Sequence, residues 1–141
     1  MEALGRALNT QYLMNGLWIN MKYCSGVTFL CYNVGAETYT LQNATTAAGG
    51  GAANLATITR YWTCTGNGSD TWTLNTQAAA ATVVTGAAAT ANCMVVEVDG
   101  VELADGFDYL NLTSTGGGIV VAITRDLTVQ RLPSNLPAMS A

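Results

Sequence analysis

The sequence predicts an all-β fold, an antiparallel β-sandwich or barrel-like domain, and three observations carry that expectation. From Gly26 onward β-branched and aromatic residues dominate, turn signals cut them at short intervals, and several of the segments so defined alternate apolar with polar side chains. The chain's 141 residues and 14.7 kDa suit one compact unit. Half of the residues are hydrophobic and only 10% are charged, so a core is available and the surface is finished largely by Thr, Asn, Ser, Gly and Ala.

Residues 1–23 read as an N-terminal arm. Leu4, Leu8, Leu13, Met14, Leu17, Trp18 and Met21 recur near helical spacing, interrupted by Gly5 and by Asn15-Gly16. The same Asn-Gly pair, set between Tyr12-Leu13-Met14 and Leu17-Trp18-Ile19, is also a hairpin signal for a type I′ turn. Helix and short hairpin both fit, and either displays large apolar groups that must cover this domain or a neighbour.

Residues 24–125 read as the β domain. Segments 27–33 and 37–42 are expected to form a first strand pair joined around Gly35. Segments 55–65 and 71–76 form the clearest hairpin, because Gly66-Asn67-Gly68-Ser69-Asp70 between them tolerates positive φ. In its second arm Trp72 and Leu74 alternate with Thr71, Thr73 and Asn75, which predicts one buried and one hydroxyl-rich face. Segments 92–99, 106–113 and 118–125 supply three more strands, with turns at Asp99-Gly100 and Gly116-Gly117-Gly118. Met94, Val96 and Val98 are expected on one face of the first, opposite Glu97 and Asp99. In the last, Ile119, Val121 and Ile123 alternate with Val120, Ala122 and Thr124, and both sets are close to apolar. Such a strand is buried on both sides or turns one face to a subunit interface.

Two stretches are low in complexity. Residues 44–54, with Gly49-Gly50-Gly51, read as an exposed, mobile loop. Residues 77–91 are alanine-rich, but Thr82-Val83-Val84-Thr85 before Gly86 suits a short strand better than a helix. Left as an open edge, that strand would invite self-association, so pairing or cover in an assembly is expected. Residues 126–141 alternate from Asp126 to Leu132 and are then held open by Pro133 and Pro137, as an extended arm would be.

Composition excludes several kinds of function. Five basic against nine acidic residues give a net charge of −4, which offers no footprint for nucleic acid. Histidine is absent, and with it the commonest general base and metal ligand. Apolar runs fall short of the ~18 residues of a membrane-spanning helix, so no membrane association is expected. The start, Met1-Glu2-Ala3-Leu4-Gly5-Arg6, does not read as a secretory signal, which points to synthesis in a reducing cytoplasm.

The residues able to do chemistry have plainer uses. Cys24, Cys31, Cys64 and Cys93 lack the Cys-x-x-Cys spacing of a zinc site and read as buried small side chains. Glu97, Asp99, Glu102, Asp105 and Asp108 form the one dense acidic cluster, but they sit around tight turns where Asp serves as a capping residue. The glycine triplets lack a Gly-Lys-Ser/Thr ending, and no serine has an imidazole to activate it. Tyr61, Trp62 and Trp72 read as core aromatics in preference to a sugar-stacking platform. No catalytic residue, cofactor or metal is therefore expected.

Glu102-Leu103-Ala104-Asp105-Gly106-Phe107-Asp108-Tyr109, then Asp126-Leu127-Thr128-Val129-Gln130-Arg131 and Pro133-x-Asn135-Leu136, resembles the C-terminal halves of small β-rich virion proteins of tailed bacteriophages, above all those decorating the head. The resemblance implies a capsid decoration, or cement, protein on the virion surface. Its partners would be the major capsid protein, whose lattice it stabilises, and copies of itself, often as a trimer. The interface would fall on Leu13, Met14, Leu17 and Trp18 of the first arm, and on Leu127, Val129, Arg131, Leu132, Pro133 and Leu136 of the second. The alternatives are a tail or head-tail component, or a carbohydrate-binding β-sandwich module.

Overall fold

The computed structural model describes residues 10–13, as backbone, and residues 17–32, 35–87 and 91–127. The strands are β1 (Thr10–Leu13), β2 (Ile19–Asn20), β3 (Gly26–Tyr32), β4 (Thr38–Ala44), β5 (Ala53–Asn54), β6 (Ile58–Cys64), β7 (Thr73–Ala80), β8 (Thr82–Val84), β9 (Cys93–Asp99), β10 (Tyr109–Ser114) and β11 (Ile119–Arg125). They form a six-stranded sheet in the order β1-β11-β3-β9-β6-β7 and a five-stranded sheet in which β2-β10-β4-β5 are neighbours and β8 also pairs with β4. The two antiparallel sheets pack together as an all-β sandwich and do not close into a barrel.

Alternation along the strands builds the core between the sheets. Val27, Phe29 and Cys31 of β3, Met94, Val96 and Val98 of β9, and Val120 and Ala122 of β11 face inward from the larger sheet. Tyr39 and Leu41 of β4 and Leu110 and Leu112 of β10 meet them from the smaller one. Each large side chain so buried stabilises the fold by about 1.5–3 kcal/mol relative to leaving it in water.

The expected hairpin of β6 and β7 is present, with Trp62 opposite Leu74 and a register shift between Ile58 and Arg60. The expected short strand at 82–84 is β8, which pairs with β4. From β7 to β8 the chain passes from one sheet to the other around Ala81, whose carbonyl accepts from Leu41 N at 2.8 Å. Gln77 Nε2 donates to the carbonyls of Ile58 (3.1 Å) and Thr82 (2.9 Å) at this corner.

Three expectations give way to a different arrangement. First, β3 and β4 do not pair: β3 lies between β11 and β9, while β4 lies in the other sheet beside β10. A short link after a strand serves a hairpin and a crossing between sheets equally well, and alternation alone does not separate them. Second, the N-terminal residues are strands of the sandwich: β1 pairs with β11 and β2 with β10. They belong to different sheets, so Tyr12 and Leu17 do not flank a two-strand hairpin; Asn15-Gly16 itself lies outside the described residues. Third, loop 45–52 is exposed at most positions, as expected, but is tied by its own threonines, with Thr45 Oγ1 donating to the Gly50 carbonyl (2.9 Å) and Gly50 N donating to Thr46 Oγ1 (2.8 Å). It lies on the indole of Trp18, so close that a Cβ at Gly49 would stand 2.6 Å from Trp18 Nε1.

Candidate functional site

The face of the six-stranded sheet that points away from the core is the surface with most to offer a partner. Its centre is a single register row. Val121 of β11 lies opposite Leu30 of β3, Leu30 opposite Val95 of β9, Val95 opposite Trp62 of β6, and Trp62 opposite Leu74 of β7. The backbone row continues into β1 at Tyr12. On three of these strands the adjacent residues Val120, Phe29, Met94 and Val96 are buried, and the pleat therefore turns the row outward.

The neighbouring row is also apolar. Ile119 faces Tyr32 and Tyr32 faces Cys93, which in turn faces Cys64. Exposure rises toward the two ends of the sheet: Ile119 and Tyr32 are each 42% exposed, Trp72 47% and Leu74 54%. Between these exposed ends Val121, Leu30, Val95 and Trp62 are half-buried, so the apolar face runs across five neighbouring strands and is most open at its two sides, and apolar patches of that kind mark interaction surfaces.

Among the described residues, the charges on this face stand at its border. Arg60, two residues before Trp62, holds its guanidinium carbon 5.8 Å from the centre of the Trp62 ring. Glu97, two residues after Val95, is exposed beside it, and Arg60 and Glu97 form no ion pair among the described residues. Further along, Arg125 Nη2 and Asp99 Oδ1 are paired at 2.7 Å. That pair is open to solvent and adds little to stability.

Burial, with Cys64 next to it, pushes the Cys93 thiol up, so at neutral pH Cys93 is a protonated thiol and a poor nucleophile. Cys24 and Cys31 lie along one continuous stretch at and inside β3, so no hairpin brings them together, and all four cysteines are free. Burial raises the Cys31 thiol further still.

The acidic cluster is used locally. Glu102 Oε2 accepts from Asp99 N at 2.8 Å and caps the 3-10 turn Gly100–Glu102. Asp108 pairs with Lys22 at 3.5 Å on the surface. Among the described residues no group of three acidic, cysteine or histidine side chains converges as a metal site would require.

The sequence-predicted interface residues are dispersed. Trp18 is 6% exposed beneath the 45–52 loop, and its indole is occupied inside its own domain. Leu17 and Leu127 are partly buried against the core. Leu13 is the last residue of β1, opposite Val120. Met14, Val129, Arg131, Leu132, Pro133 and Leu136 lie outside the described residues. The aromatic trio also divides, since Tyr61 packs toward the core whereas Trp62 and Trp72 lie on the outer side.

Sequence reasoning found Ile119, Val121 and Ile123 as an apolar set needing cover and missed Leu30 and Val95. It read Trp62 as a core aromatic and Trp72 with Leu74 as a buried face, whereas Trp62 is half-buried and Trp72 and Leu74 are exposed, because the core side of this sheet is already filled from the neighbouring positions. The signal was present: in β3 and β9 a second apolar set, Leu30 and Tyr32 or Cys93 and Val95, runs alongside the core-facing one. The fold is an all-β sandwich, and this apolar face is its candidate surface. No family model, no curated protein and no solved structure matches the chain.

Proposed function

We propose that this chain is a structural protein of a tailed-bacteriophage virion, a decoration subunit that reinforces the head by burying surface and makes or breaks no bond. The observation that carries the reading is the outer face of the six-stranded sheet, where Val121, Leu30, Val95, Trp62 and Leu74 form one apolar row. A protein that works alone in water gains nothing from exposing such a row, whereas a subunit of a shell sums many modest contacts over its copies. The phage-like pattern around residues 102–109 and 126–136 adds the virion context.

The reading requires neither cofactor nor metal. Attachment to the major capsid protein and contact with further copies of the chain are its two interactions. Co-sedimentation with mature phage heads stripped of their own decoration protein tests it. Saturable binding and a raised rupture temperature of the heads are expected; heads that sediment without the chain, across several phage types, refute the assignment.

A carbohydrate-binding module has one observation in its favour, the half-exposed Trp72 two residues before Leu74, the partner of Trp62. The Arg60 guanidinium over the Trp62 ring already occupies a face on which a sugar would stack. A glycan array that lights up only with intact Trp72 is the result that would favour it.

A further inference from the structure

We infer that the occupant of the outer sheet face is a second copy of this chain, docked face to face about a two-fold axis. The inference rests on the assembly reading above and names the partner for its surface. The axis follows from the register. Run parallel to the strands, midway between β9 and β6, it lays β6 over β9 of the other copy and β7 over its β3, with every residue row kept level.

That single operation places Trp62 over Val95 and Leu74 over Leu30, each contact occurring twice. The β6–β9 register ends at Trp62–Val95; carried one alternate position past that pair, it sets Arg60 over Glu97 of the other copy and Glu97 over its Arg60. Apolar groups thus meet apolar groups, and the bordering charges of opposite sign meet each other. Self-complementarity of this kind is what an isologous interface demands.

The area sets the strength. Four strands at ~4.8 Å spacing and seven residues at ~3.4 Å give a flat footprint of roughly 450 Å² per copy. Twice that, roughly 900 Å², falls below the roughly 1,200 Å² at which stable complexes begin and among weak, transient encounters, so the pair forms reversibly and tightens when copies are concentrated on a shell. Two copies attached to neighbouring capsomers through their other surfaces and locked through this face would tie those capsomers together. A dimer, in place of the trimer that the phage resemblance implies, is the species expected in solution.

Sedimentation equilibrium of the full chain over a wide concentration range, with wild type, Arg60→Glu, Glu97→Arg and the double variant, tests the inference. Circular dichroism melts confirm that each variant is folded. Each single reversal is expected to weaken the dimer about tenfold or more, and the double variant to return it to within about threefold of wild type. A chain that stays monomeric throughout overturns the inference, whether acrylamide quenches Trp72, leaving the face for a different partner, or does not, showing that the chain's own residues cover it. A dimer indifferent to both reversals, or a double variant as weak as the singles, overturns it too. Binding to stripped heads is read separately: heads bound by a monomer keep the virion assignment and sink this one.

Discussion

Ser114 donates its hydroxyl hydrogen to Glu37 Oε2 across 2.5 Å, joining residues 77 positions apart. The same carboxylate oxygen accepts from Gly118 N at 3.1 Å, so one side chain ahead of β4 holds both ends of the turn between β10 and β11. These strands belong to different sheets, which makes Glu37 a tie across the open end of the sandwich. Thr85 holds the backbone of Glu37 from a third side, with Thr85 N donating to the Glu37 carbonyl at 2.9 Å. Tyr39 lies close by, its hydroxyl pushed above its ordinary value by burial, then by Cys31 and Glu37.

Replacing Glu37 by alanine removes an acceptor shared by two donors. Hydrogen bonds to a charged group contribute about 1.5–3 kcal/mol each when sheltered; at this half-buried site a combined loss of about 2 kcal/mol is expected. Glu37→Gln, which keeps one acceptor oxygen, should lose about half as much. Urea unfolding followed by tryptophan fluorescence measures both. Equal stability of all three proteins would mean that the turn holds without the tie.

The loop between β6 and β7 is pinned by a different carboxylate. Asp70 accepts from Thr65 N, and that hydrogen bond holds its carboxyl below the ordinary value of 3.8. A depressed folded value means that the contribution is present above the unfolded value and lost as pH falls through the folded one. The Thr65 amide resonance is therefore expected to titrate with a midpoint below 3.8, while Asp70→Asn abolishes that titration at every pH. A Thr65 midpoint at or above the ordinary value would show that the bond is not formed in solution.

Thiol chemistry separates the four cysteines. Burial raises the pKa of Cys24, of Cys31 and of Cys93, so little thiolate is present on them in the native state. Cys64 is the one cysteine that is not fully buried. With a disulfide reagent at mildly alkaline pH, Cys64 should react first and Cys31 last, on the timescale of global unfolding. Peptide mapping of the labelled protein reads the order, and early labelling of Cys31 would contradict a closed core between the sheets.

The strands were legible because their chemistry is local. Residues 93–99 and 119–125 are β-branched-rich runs bounded by turn signals, and the Gly-Asn-Gly-Ser-Asp loop sets the β6–β7 hairpin. Strand partners were not legible where the chain changes sheets. Nothing in residues 33–37 distinguishes a turn back onto β3 from a step to the facing sheet, and the separate pairings of β1 with β11 and β2 with β10 join the chain's beginning to its far end. The candidate surface was half legible for a related reason. An apolar residue on a strand announces only that it wants cover, and Leu30 and Phe29 look equally entitled to the core until the sheet shows which face is already filled.

A core-facing and an outward-facing residue of the same sheet should therefore answer differently to mutation. Phe29 is fully buried between the sheets, and Phe29→Ala should cost about 3–5 kcal/mol through lost burial and the cavity left behind. Leu74 is 54% exposed on the outer face, and Leu74→Lys should change stability by no more than about 0.5 kcal/mol. Its effect should fall instead on association, since a lysine set over Leu30 of a second copy would be desolvated without a carboxylate in reach. Thermal melts at low concentration read the first quantity, and sedimentation at high concentration reads the second. If Leu74→Lys lowered stability as much as Phe29→Ala does, the outer row would belong to the core and the surface would have no claim to a partner.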